Sequence, residues 1–151
     1  MKLKLSAAAA LLAVFLPLAA HADLPGSHPE YLHALTDLRD ARWNLEHRPG
    51  NAAVSAGEDT AIVEIDRAID EVKHAAVEDG KNLYVHPQED ARLNNAGRLH
   101  HAVELLEKAR NDLAREEDNP EARSLKHRAV EHVERAIEGA KQALRSAEKG
   151  M

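Results

Sequence analysis

The chain contains no cysteine. That excludes disulfide staples, thiolate metal ligands, thiol nucleophiles and covalent c-type haem attachment. Whatever fold forms must hold by packing alone. Methionine is nearly as scarce, with Met1 and Met151 the only two, so no interior methionine can serve as an axial haem ligand. Glycine-rich phosphate loops are missing too. Ser27, Ser55, Ser124 and Ser146 all lie outside any Gly-x-Ser-x-Gly turn, so hydrolase and transferase chemistry rank low. Beyond residue 22 no stretch approaches the roughly 20 apolar residues that span a bilayer.

The first residues carry an export signal. Met1-Lys2-Leu3-Lys4 is a short basic start, Leu5 to Leu18 is apolar, and Ala20-His21-Ala22 fits the small-x-small cleavage rule. This pattern predicts a secretory signal peptide over residues 1–22, removed after Ala22. The alternative is an uncleaved N-terminal anchor; a lipoprotein is excluded for want of a cysteine. The mature chain, residues 23–151, has 129 residues, which suits one domain with a small core and a periplasmic or secreted location. Loss of Lys2 and Lys4 lowers the 20 basic residues to 18 against 26 acidic ones, a formal charge of −8. Basic and acidic residues remain interleaved, as on a solvated helix surface. Nucleic acid is therefore not an expected partner. Nor is membrane once the leader is gone, since no basic amphipathic helix stands out.

What is present is a repeat. His33 to Leu45, HALTDLRDARWNL, is echoed 68 residues later by His101 to Leu113, HAVELLEKARNDL. Extended from 33–75 against 101–143, the comparison gives 13 identities in 43 gapless positions. Five are alanine, but the constant offset through two helices and a turn argues for one αα-hairpin written twice. A lone hairpin cannot bury its apolar stripe, so two should close on each other. The expected fold is all-α: an up-down-up-down antiparallel four-helix bundle, with helices at about 29–47, 52–79, 88–117 and 120–149. An open pair of hairpins closing as a homodimer is the alternative.

The boundaries follow from punctuation. Arg48-Pro49-Gly50 stops helix 1, Asn51 caps helix 2, Gly80 ends it, and Asn119-Pro120 starts helix 4. Tyr31, Leu35, Leu38, Arg42 and Leu45 form the first seam, and Glu58, Ile62, Ile65, Ile69, Val72 and Ala76 the second. Leu99, Val103, Leu106, Arg110 and Leu113 form the third; Val130, Val133, Ile137, Ala140 and Leu144 form the fourth. Alanines at 34, 41, 61, 68, 102, 109, 129 and 136 flank these seams and allow close approach. Arg42 on the seam calls for a partner, and Glu58 is expected to supply it. The acidic run Glu116-Glu117-Asp118 at the expected end of helix 3 opposes the macrodipole.

Histidine is the compositional anomaly, with nine after residue 22. His33 and His101 should both point outward, on helices expected to be diagonal. Local sets at helical spacing are the candidate metal ligands: Asp70, His74 and Glu78; His100 with Glu104; His127 with Glu131. Each could hold Zn²⁺, Cu²⁺ or Ni²⁺ weakly, with water completing the shell; the competing reading is an exposed helix face with acids beside histidines. A di-iron centre matches only in letters, at Glu30-x-x-His33 and Glu71-x-x-His74, and the repeat partners Arg98-x-x-His101 and Gly139-x-x-Gln142 break it. Bis-histidine haem would need inward histidines that the helical wheel does not supply. Leu32, Trp43 and Tyr84 could form an apolar patch for a protein partner or a homodimer, or be covered by the linker.

The runs Tyr31-Leu32-His33-Ala34-Leu35, Asp37-Leu38-Arg39, Ala41-Arg42-Trp43 and His47-Arg48-Pro49-Gly50 resemble a group of small, uncharacterised secreted bacterial helical proteins. The resemblance extends through Glu64 to Lys73 and Arg128 to Ala140, most of the mature chain. It implies an exported helical protein and no activity. His33 with Leu38-Arg39 and Arg42 is also similar to the helices of polyphosphate-associated CHAD domains. Those are longer and basic, and the second copy here lacks their arginine density, so no function is carried over. The expected function is that of an exported non-enzymatic binding or stress-related protein with weak divalent-metal binding. The alternatives are a protein-interaction module without metal and a haem or di-iron bundle.

Overall fold

A computed structural model describes residues 26–47, 55–88 and 97–149. The expected leader, the Arg48-Pro49-Gly50 stop, Asn51 and residues 89–96 of the expected third helix lie outside the described residues. Four helices form: α1 (Tyr31–Glu46), α2 (Ala56–Glu78), α3 (Arg98–Leu113) and α4 (Pro120–Lys149). The all-α four-helix architecture is thus the observed one, and no described helix is long and apolar enough to cross a membrane.

Local chemistry explains the boundaries. Ser55 opens α2 through a capping box: its hydroxyl accepts from the Glu58 N–H, and the Glu58 carboxylate accepts from the Ser55 N–H. Two otherwise orphaned donors are satisfied at once. Gly80, at φ 70°, ends α2, and the Lys81 N–H reaches back to the Ala76 carbonyl, a Schellman closure. Asn119 accepts from the Glu121 N–H ahead of Pro120, as the sequence indicates for α4. α3 stops short of the expected end at 117. It starts after Gly97, at φ 90°, and stops at Leu113. Residues 114–117 leave the helix, which avoids stacking Glu116 and Glu117 on its negative end.

The order of the helices differs from the expected up-down-up-down. The Glu30 N–H donates to the Asp112 carbonyl, and Arg98 donates to the Asn44 carbonyl, so α1 and α3 lie side by side and antiparallel. Asn119 bonds the Glu78 carbonyl, and Arg128 pairs with Glu71, so α4 runs antiparallel along α2. The path is therefore up-down-down-up. Helices α1 and α3 are neighbours rather than diagonal, and the extensive contacts are α1 with α2 and α3, and α4 with α2 and α3. The physical reason is the length of the α2–α3 connection. A helix starting at residue 88 right after the α2 end would leave only a tight turn, whereas the described residues 81–88 run on outside any helix. At about 3.3 Å per residue the ten residues 79–88 alone can outreach a helix of α1's length. Its first part climbs α1: Thr36 Oγ1 donates to the Pro87 carbonyl, and Arg39 meets His86.

The core is centred on the alanines. All eight flanking alanines are fully buried, together with Leu35, Leu38, Leu45, Ile65, Leu105, Leu106, Leu113 and Val133. The true inner line is thus rotated slightly from the expected seam, toward the small residues. Leu99, Val103, Val130 and Ile62 are only partly buried. Close approach is most extreme where α2 crosses α4. A Cβ on Gly57 would lie 2.8 Å from the Gly139 carbonyl oxygen, and one on Gly139 would lie 2.8 Å from that of Gly57. Arg42 does not pair with Glu58. It bonds Asp66 at 2.6 Å and Glu46 at 2.6 Å, while Glu58 takes Arg98 at 2.6 Å. Burial would raise the Glu58 carboxyl, but Ser55 and Arg98 together hold it below the usual range.

Candidate metal centre

Three chain segments meet at the end of the bundle where α2 finishes. Asp79 is the C-cap of α2. His28 lies on the lead-in to α1. Glu117 lies in the α3–α4 turn, which folds over the same end. Asp79 and Glu117 are buried at 0% and 3% exposure, and the His28 side chain is 9% exposed. His28 Nδ1 is 2.6 Å from Asp79 Oδ1, 3.3 Å from Glu117 Oε1 and 3.8 Å from Asp118 Oδ1. One imidazole nitrogen therefore faces three carboxylates, although it can carry only one proton.

The two buried acids differ in how well they are served. Glu117 accepts from the Tyr31 hydroxyl and from the Asn119 N–H at 2.8 Å, next to the positive end of α4. Burial, followed by that hydrogen bond to Glu117, drives the Tyr31 hydroxyl well above its ordinary pKa. Asp79 sits instead at a helix C-terminus, where the macrodipole opposes a negative charge. Neither of its oxygens has a hydrogen bond of good geometry. What it has is proximity to His28 and to Lys81 Nζ, at 3.6 Å. Burial raises its pKa, and the charges of His28 and Lys81 offset that only in part.

The donor set is one imidazole nitrogen with carboxylate oxygens, which suits a divalent ion such as zinc. Around an ion with bonds of about 2.0–2.2 Å, tetrahedral ligands lie roughly 3.3 Å apart. The His28–Glu117 separation already has that value. The shorter His28–Asp79 contact has the length of a hydrogen bond and would open by less than about 1 Å.

None of the ligands expected from sequence joins this centre. Asp70 is 74% exposed and pairs loosely with Lys73; His74 and Glu78 are exposed. His100 and Glu104 are half-buried. His127 and Glu131 form an exposed pair at 3.4 Å. Among the described residues, three potential ligand atoms of separate residues converge only at His28, Asp79 and Glu117. His101, expected to face outward, is buried at 4% exposure because α3 lies between α1 and α4; His33 is half-buried. The acids of the two Glu-x-x-His pairs are tied to arginines, Glu30 to Arg115 and Glu71 to Arg128. Leu32 packs on the core, Trp43 stacks on His47 at 4.2 Å, and Tyr84 is exposed, so the three do not form one covered unit.

Another buried carboxylate, Glu64 on α2, meets a different environment. His132 Nδ1 lies 2.6 Å and Arg135 Nε 2.8 Å from its Oε2, and Arg67 lies 2.6 Å from its Oε1. Burial would raise its pKa, yet hydrogen bonds from His132 and Arg135 hold it at about 2. No protein-family model, curated protein or solved structure matches the chain.

Proposed function

We propose that the protein is an exported, non-enzymatic helical bundle, periplasmic or secreted, that binds one divalent metal ion through His28, Asp79 and Glu117. The observation that carries this reading is Asp79: a fully buried carboxylate, at the wrong end of a helix dipole, without a well-formed hydrogen bond. A divalent ion in place of the single shared proton would serve all three ligands at once. Zinc is the reference ion; copper and nickel suit the same donors. The export signal over residues 1–22 supports a compartment in which a cysteine-free nitrogen and oxygen site would be used.

A second reading, a protein-interaction module or homodimer, draws support from Trp43, which is 56% exposed and stacked flat on His47. The two separate on one experiment. Untagged protein purified from the periplasm is dialysed against zinc and assayed by elemental analysis, with His28→Ala and Asp79→Asn alongside. The metal reading expects close to one equivalent in the parent chain and a large loss in both variants. Negligible zinc in the parent, or equal zinc in all three, overturns it and leaves interaction as the account.

A further inference from the structure

We propose that Asp118 is the fourth ligand, closing the site into a structural staple that fastens the segment before α1 to the bundle. This inference rests on the metal reading above. Asp118 holds the lead-in by two bonds: its Oδ2 accepts from the Ser27 N–H at 3.0 Å, and its own N–H donates to the Ser27 carbonyl at 3.2 Å. The Oδ2 bond leaves Oδ1 3.8 Å from His28 Nδ1, outside the three converging ligand atoms, so the carboxylate would move inward to ligate an ion. Gly26 explains how the segment comes so near. A Cβ there would fall 2.2 Å from Asp118 Oδ2, and its φ of 146° is one that other residues rarely adopt.

Four protein ligands without an open position are the mark of a structural site rather than a catalytic one. His28, Asp79, Glu117 and Asp118 would supply one nitrogen and three oxygens from three separate segments. Asp118, with its side chain 50% exposed, marks the side from which an ion would enter. Three carboxylates around a divalent ion leave one net negative charge, and Lys81 stands beside Asp79 to balance it. An ion bound there would hold residues 26–30 against the ends of α2 and α3.

Cobalt(II) is the probe, because tetrahedral cobalt absorbs visible light strongly and octahedral cobalt weakly. The parent protein is expected to show intense tetrahedral bands. Asp118→Asn keeps an oxygen for Ser27 but loses the charge. It should bind cobalt at least roughly tenfold more weakly, since loss of even an outer-sphere partner has that effect, and with fainter bands. Gly26→Ala leaves every ligand intact yet displaces the segment, so its bands should fall as well. Zinc should slow amide exchange at Ser27, His28 and Glu30 in the parent only. Weak octahedral bands in the parent, or an Asp118→Asn variant that binds and absorbs as the parent does, overturn the staple while leaving the three-ligand reading in force. Failure of the parent to bind cobalt at all overturns both.

Discussion

Glu64 and Asp79 lie on the same helix, and both carry buried carboxylates, yet their surroundings are opposite. Glu64 faces Arg67, His132 and Arg135, which hold its pKa at about 2. Asp79 faces a histidine shared with two other acids and one lysine at 3.6 Å, and its pKa is raised. A buried carboxylate saturated by arginine bridges α2 to α4 and has its structural reason in full. One buried at a helix C-terminus without such partners costs free energy unless a cation joins it. The difference separates a structural ion-pair network from a ligand site, although the two use the same residue types.

The contrast can be broken from either side. Glu64→Gln should produce the largest effect, a loss of about 2 kcal/mol, between the values for exposed and for fully buried pairs. Its pH dependence follows from the sign of the shift. The folded pKa lies below the ordinary 4.5, so the contribution is fully present above about pH 4.5 and fades as pH falls toward 2. Chemical denaturation at pH 7 and at pH 3 should therefore show the gap between parent and variant narrowing at the lower pH. A gap that is constant or widens would sink the assignment.

Tyr31→Phe comes next. It removes the hydroxyl donor to Glu117 and leaves a buried oxygen with one partner fewer, at a cost of about 1–1.5 kcal/mol in metal-free protein. A loss below about 0.3 kcal/mol would show that Glu117 is served well enough without it.

Asp79→Asn should have the smallest effect and the opposite sign. In metal-free protein it relieves a poorly compensated buried charge, and stability should be unchanged or higher by up to about 1 kcal/mol. A loss comparable to that of Glu64→Gln would mean that Asp79 already has its full complement of partners. Thermal unfolding in the presence of a chelator distinguishes the cases.

The comparison also shows what could be read from the sequence. α4 was legible to the residue, because Asn119 and Pro120 carry their helix-starting chemistry locally. So was the end of α2 at Gly80. The alanine pattern announced close packing, and all eight positions are buried. Chain order was not legible. It depends on how far the segment after α2 reaches, and residues 81–88 run along α1 outside any helix. The candidate site was missed for a related reason. Spacing of i, i+4 brings ligands together on one helix face, such as Asp70, His74 and Glu78, but His28, Asp79 and Glu117 come from three helix junctions. One signal was present: Asp79 is an acid at a helix C-terminal end, where the dipole disfavours it. An acid in such a position invites the question of which cation compensates it.

The most direct measurement is a crystal structure of the protein grown with zinc, with diffraction recorded on both sides of the zinc absorption edge. One anomalous peak is expected among His28 Nδ1, Asp79, Glu117 and Asp118, about 2.0–2.2 Å from each ligating atom. A peak confined to the exposed set of Asp70, His74 and Glu78, or no peak while His28 keeps its hydrogen-bonding distance to Asp79, would contradict the assignment.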